Sequence, residues 1–279
     1  MKKNNENKAK KKSFFHFQRK YLCIPYALFL ILFIIIPILL ILFYAFTDIN
    51  GNFPSFEALI KFFTSPTKLH VMLVSVFFAI QTTILCLLIG YPLAHFLADK
   101  KVNKNVAMVL LFIMPMWINF VMRTSATRDV LSWWNINGGN YPYFATFVGM
   151  LFNYLPFTIL PLYTTMLKID KNQLEAAADL GANPVQVFFY NYVPQTLPGV
   201  VSAITMVFMP TMSSYVISDM LSEGKITLLG NSIYINFANS QWNYGSFMAL
   251  IMLIIIGVGM IFNRNKTTDS IGGRGGNLW

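Results

Sequence analysis

Acidic and basic side chains fall along this chain in clusters, and the clusters leave long gaps. No Asp, Glu, Lys or Arg occurs in residues 21–47, 69–98, 105–122, 130–167, 180–218 or 226–263. A helix of about 20 mostly apolar residues crosses the hydrocarbon core of a bilayer. Each gap therefore holds one spanning helix, and the longer gaps add polar connections; two helices in a 38-residue gap would leave too little chain for a turn. The pattern predicts helices near 22–46, 71–98, 106–122, 144–167, 195–218 and 244–262. The third is short by this count and has room to continue past Arg123. The fold class this predicts is all-α: a basic N-terminal tail over 1–21, a six-helix transmembrane domain over 22–262, and a C-terminal tail over 263–279. Between the first two spans, apolar residues at 56, 59, 60 and 63 predict a short helix lying on the outer surface. Pro37, Pro92, Pro115, Pro156, Pro161 and Pro210 fall within or near the spans. Neighbouring helices must satisfy the backbone groups they free, which favours a packed bundle around a pathway over a simple anchor.

Composition supports the membrane assignment. Hydrophobic residues make up 56% of the 279 and charged residues 11%, against roughly a quarter charged in soluble domains. That excludes a soluble enzyme, a disordered chain and a disulfide-rich secreted domain. The two cysteines, Cys23 and Cys86, lie inside apolar runs and form no disulfide framework. The net charge of +10 is concentrated at the start, with eight basic residues in positions 1–20 directly before an apolar run. This is the flank of a membrane helix, so the partner is the lipid bilayer and not nucleic acid. With both termini cytoplasmic, the inner segments 1–21, 99–105, 168–194 and 263–279 carry sixteen Lys and Arg and the outer segments carry five. The positive-inside rule selects that orientation. The first apolar run is too long for a signal-peptide core and lacks a small-residue cleavage site, so it reads as retained. No repeat of solenoid period appears.

The segment from Leu167 to Gly199 is too polar to span and too patterned for a plain loop. Asn172 with Glu175 three residues on reads as an N-cap and its capping box. Ala176, Ala177 and Ala178 favour helix and leave a surface that another protein can approach closely. Gly181 suits a C′ position at positive φ. Asn183 and Pro184, with Gln186, read as a second helix start. The prediction is two short helices joined by a sharp bend over 180–183.

Here the chain resembles the permease subunits of bacterial ABC importers. Their signature is Glu-Ala-Ala, three residues, Gly, nine residues, Ile, one residue, Leu-Pro. Glu175-Ala176-Ala177, Gly181 and Pro194 stand at those spacings, while Asn191 replaces Ile and Val193 replaces Leu. The resemblance extends over most of the chain from the first span onward. Met114-Pro115-Met116-Trp117-Ile118-Asn119 with Arg123-Thr124 is similar to the spermidine/putrescine permeases. So are Tyr154-Leu155-Pro156-Phe157, Leu160 to Tyr163, and Met209 to Asp219 followed by Gly230-Asn231. Some relatives have an acidic residue where this chain has Ser214. The resemblance implies the MetI-like fold, with 168–194 as the coupling segment that docks into a cleft of a separate ATPase. Glu175, Ala176, Ala177, Asp179, Gly181 and Pro184 would carry that contact. It implies a second homologous permease, an ATPase dimer and an external polyamine-binding protein as partners, in a bacterial cytoplasmic membrane.

The chain has no Walker-type phosphate loop, so ATP and Mg would be held by the partner ATPase, with no cofactor here. His16, His70 and His95 have no metal-ligand spacing, and no nucleophile–base pair appears, so the chain carries no catalytic or metal residues and is a transporter subunit, not an enzyme. A polyamine needs carboxylates for its ammonium groups and aromatic faces for its methylenes. Asp219 and Tyr215 share a helical face. Asp129 sits near Trp133 and Trp134, and Trp117 and Asn119 belong to a block quoted above. These seven are the candidate pathway residues. The plainer readings are a solvated helix end or a bridge to Lys225 for Asp219, and interfacial anchoring for the tryptophans, as for Tyr141, Tyr143, Trp242 and Tyr244. Two other functions stay open. One is an ABC importer of another small solute, such as an opine, a metal complex or an oxyanion. The other is an ion-coupled secondary transporter, which would show inverted repeats and would leave the Glu-Ala-Ala segment unexplained.

Overall fold

The computed structural model describes residues 23–48, 51–99 and 107–272, and these are mostly helical with no strand among them. The basic tail 1–21, the basic loop residues 100–105 and the last residues of the C-terminal tail lie outside the described residues. Five helices are long and apolar enough to cross a membrane, and six if one bent pair counts as a span.

The first span, α1, runs through Cys23–Leu30, a π-helical stretch Ile31–Ile35 and Ile36–Ala45. Its residues are apolar on every side and almost wholly exposed, the pattern of a helix solvated by lipid. It touches the rest of the chain chiefly through the last helix. Next, α2 (Glu57–Thr64) buries Ala58 and Phe62 in the core and turns Phe56, Ile60 and Phe63 outward. The expected short helix is therefore present, with a second apolar face that the spacing had not shown. It is held by Glu57 and Lys61, which pair with each other and with the hydroxyl of Tyr244. Tyr244 is thus buried in this network and is not an interfacial anchor.

The centre of the bundle is α3 (Pro66–Ala98), α6 (Pro142–Met166) and α8, which comprises Pro184–Gln186, a π-helical stretch Val187–Tyr192 and Val193–Ser213. Small residues bring these helices together. A Cβ on Gly90 would lie 2.8 Å from Thr158 Cγ2, and one on Gly199 would lie 2.7 Å from Thr165 Oγ1. This is how membrane helices gain packing without a hydrophobic drive between them. Buried hydroxyls turn back on their own helices, Ser75 to Val71 O at 2.7 Å and Thr83 to Ala79 O at 2.6 Å.

The third expected span is broken. α4 (Ala107–Ile113) passes into a 3-10 turn, Met114–Trp117, and α5 (Phe120–Trp133) leaves at 100° to it. Pro115 supplies no N–H, and Asn119 Oδ1 accepts from Val121 N at 2.9 Å, starting a new helix. The expectation of one helix over 106–122 is corrected accordingly. The fifth span is also displaced: α8 begins at Pro184 and stops at Ser213, where Ser214 is extended at φ −67° and ψ 120°. Asp219 belongs instead to the separate α9 (Val216–Ser222). α10 (Leu229–Ala238) packs its start on the end of α8, where a Cβ on Gly230 would overlap the Ser213 carbonyl. α11 (Trp242–Gly272) closes the bundle and runs well into the expected C-terminal tail.

Candidate functional site

Two places gather the chemistry. The first is the polar segment between α6 and α8. α7 (Lys171–Asp179) is capped by Asp170, whose Oδ1 accepts from Asn172 N at 3.0 Å. The cap is therefore Asp170 and not Asn172, and Glu175 takes no part in a capping box. The box lies one helix later: Asn183 Oδ1 accepts from Gln186 N at 2.8 Å, and Gln186 Oε1 accepts from Asn183 N at 2.9 Å. Pro184 follows at N1. Between the two, Gly181 has φ +89°. Gly181 N donates to Ala178 O at 2.9 Å and Ala182 N to Ala177 O at 3.1 Å, the paired bonds of a Schellman turn. The second short helix does not stand alone but continues through the π-helical stretch into α8.

Glu175, Ala176, Asp179, Gly181 and Pro184 are exposed, and Ala177 is half-buried. At the tip of the turn Leu180 is 89% exposed and Val185 63%, so the segment offers an apolar surface at one end of the bundle. Its other face is anchored. Leu174 and Phe188 pack on a core formed by Ala94, Leu162, Met166, Tyr192 and Ala203. His95 Nδ1 and the Tyr192 hydroxyl are 2.7 Å apart, and the Tyr91 hydroxyl is 3.0 Å from Thr196 Oγ1. Asn191, which departs from the signature, has a definite role: its Nδ2 donates to Gln173 O at 3.0 Å and ties α7 to α8.

The second place is a cavity of about 320 Å³ between α5, α6 and the joint of α8 with α9, lined by Phe120, Arg123, Tyr154, Phe157, Ser214 and Tyr215 among others. Arg123 Nε donates to Asn153 Oδ1 at 2.8 Å and Nη1 to Pro115 O at 2.7 Å. Asn153 Nδ2 donates to Thr124 Oγ1 at 3.1 Å and Gly149 O at 2.9 Å. This node pins the broken span to α6. Tyr215 lines the cavity, and its ring stacks on Tyr234 with centroids 5.0 Å apart.

The other candidate pathway residues are placed elsewhere. Asp219 is exposed, one turn beyond Tyr215, and its backbone N–H donates to Tyr215 O. Lys225 Nζ does not bridge to it but donates to Gly139 O at 2.6 Å. Asp129 is exposed beside Arg128, at 3.7 Å. Trp117, Trp133 and Trp134 are 78%, 80% and 68% exposed, and Asn119 is spent on its cap. In the sequence Arg123 stands as an outer-segment charge and within the Met114–Thr124 block similar to the spermidine/putrescine permeases, not among the candidate pathway residues. The signal that could have found it is Pro115 eight residues before it, since a broken span brings an arginine back into the bundle.

No family model matches the chain. The Spermidine/putrescine transport system permease protein PotB of Haemophilus influenzae is 32% identical over 262 residues, covering 84% of this chain and 92% of that protein. PotB of Escherichia coli K12 is 30% identical over 248 residues, covering 82% and 90%. Among solved structures, the crystal structure of a bacterial alginate ABC transporter, in complex with an alginate pentasaccharide-bound periplasmic protein, superposes with a TM-score of 0.63 at 14% identity. It covers 88% of this chain and 91% of its own. At that identity the likeness concerns the fold.

Proposed function

Because this chain belongs to the PotB family of ABC importer permeases, we propose that it forms half of the translocation pathway for polyamines, of the spermidine and putrescine class. A second, similar permease supplies the other half, and a binding protein outside the membrane delivers the cargo. An ATPase dimer, which holds ATP and Mg, drives the cycle. The observation that carries the coupling role is the Schellman turn at Gly181. It presents Glu175, Ala176 and Asp179 outward on a short helix whose other face is tied into α3, α6 and α8. Movement of the ATPase against that helix would be passed to three spans at once. Small side chains let two proteins approach closely there, and a bulky group on Ala177 would separate the two surfaces. The basic-residue asymmetry puts this segment, both termini and residues 99–105 in the cytoplasm. For the cargo, Tyr215, Tyr154 and Phe157 offer ring faces to ammonium and methylene groups.

One observation favours a second reading, an importer of another small solute such as an opine, a metal complex or an oxyanion: the charged residue lining the cavity is Arg123. Co-purification of the complex from native membranes identifies the binding protein, and uptake of labelled spermidine and putrescine by the complex in liposomes decides between the two. ATP-dependent uptake of either supports the polyamine reading. Its absence, with uptake of an anionic solute, replaces that reading.

A further inference from the structure

The cavity beside the α8–α9 joint is walled by rings and hydroxyls, and no carboxylate is among its lining residues. Its charge is that of Arg123. The guanidinium is held from two directions, by Asn153 and by Pro115 O. Asn153 is 1% exposed and uses both ends of its amide in the node. Withdrawing the guanidinium would leave a buried acceptor unpaired, which is costly. An arginine does not lose its proton at any working pH. The cavity wall therefore carries a permanent positive charge in a fixed place.

We propose that Arg123 is a specificity-determining residue for transport: a fixed cation that penalises cargo in proportion to its charge. The inference rests on the polyamine reading above. A pathway site must be favourable enough to enter and weak enough to leave. The aromatic faces of Tyr154, Phe157 and Tyr215 attract ammonium groups, and Arg123 opposes their accumulation. Arg123 thereby lowers the ratio of trivalent spermidine to divalent putrescine transported, relative to what the rings alone would give. At roughly 8 Å and an effective dielectric of about 40, between protein surface and water, each added cargo charge changes occupancy about fivefold.

The experiment uses the full complex in liposomes, with labelled putrescine and spermidine in competition and kcat/KM measured for each. Arg123→Gln should raise the spermidine-to-putrescine ratio about fivefold, and Arg123→Lys should leave it within about twofold, because the charge is kept. A fall in both rates with an unchanged ratio in Arg123→Gln overturns the proposal and leaves Arg123 as a latch on the broken span. If Arg123→Gln fails to assemble, Ser214→Asp decides. It places a carboxylate in the same cavity without touching the Arg123 hydrogen bonds and should raise the ratio, and an unchanged ratio overturns the proposal. If the unmodified complex takes up neither polyamine, the cargo reading falls and this inference with it. Normal uptake with unchanged ratios overturns the inference alone.

Discussion

Replacing Gly181 isolates the backbone's share in the proposed coupling segment. The residue sits at φ +89°, and a Cβ built there meets no atom within 4 Å. Substitution therefore costs nothing in steric overlap with neighbours, and what remains is the penalty for a side chain in the left-handed region, about 1–2 kcal/mol for an ordinary L-residue. That lowers the population of the bent form by about 5–30-fold. Alanine should show the penalty, and valine more of it, because a β-branched residue is an outlier at positive φ. Asparagine visits this region readily and should stay close to glycine. The expected order of function is Gly, Asn, Ala, Val. Retention of the ATPase by pull-down, ATP turnover and uptake should be measured on one preparation of the reconstituted complex. The amount of permease in the membrane should not change, since Gly181 lies outside the spans. Wild-type retention and transport in Gly181→Val would refute the argument. So would an asparagine variant as impaired as valine, which would point to a side-chain contact at this position instead of a backbone demand.

Other outcomes follow from single interactions. Ser75 Oγ, fully buried, accepts the Leu229 N–H at 2.7 Å. Ser75→Ala leaves that donor unpaired, at a cost of about 1–3 kcal/mol, and a lower thermal midpoint of the purified permease should follow; an unchanged midpoint would show that the donor finds another partner. Hydrogen bonding with Asp48, then Lys61 and Tyr244, holds the Glu57 carboxyl at about 2 against an ordinary 4.5. Because the folded value is depressed, the contribution of this network is complete above the ordinary value and is lost as pH falls through about 2. A carboxyl-carbon NMR titration should find a midpoint near 2 that moves upward in Tyr244→Phe, and an ordinary midpoint would dissolve the network. In intact cells an impermeant thiol reagent should label a cysteine at Asn140 and spare cysteines at Asn103 and Asn265; equal labelling would reverse or redraw the topology.

The two-helix turn over 171–186 was legible because its determinants are local. A Schellman turn and a capping box are made by side chains and backbone groups a few residues apart, so Gly181, Asn183 and Gln186 announce them in any context. The cap on α7 was misplaced at Asn172 for a related reason. Asp170 and Asn172 are both good caps, and the choice depends on where α6 ends, which is set by Met166 and Ile169 packing on the bundle. Asn191, read as a departure from a motif, is a tether whose partner lies 18 residues away.

The existence of the spans and the class of the fold were determined by sequence alone. A bilayer imposes one requirement on every crossing segment, a long run free of charge, and that requirement is visible without knowing any neighbour. The structure decided what depends on neighbours. Pro115 could have kinked a helix or broken it, and the break is held by Arg123 and Asn153, which lie 30 residues apart. Tyr244 reads as one more interfacial aromatic until Glu57 and Lys61 arrive from the other end of the chain. Arg123, on α5, becomes a wall of the cavity, and Asp219 does not, because α8 stops at Ser213 and leaves Tyr215 at the joint to line the cavity, while Asp219 lies one turn further along α9. Hydropathy and capping act over a few residues and can be read along the chain, whereas a cavity is made by side chains from distant segments and comes into being only when the helices pack.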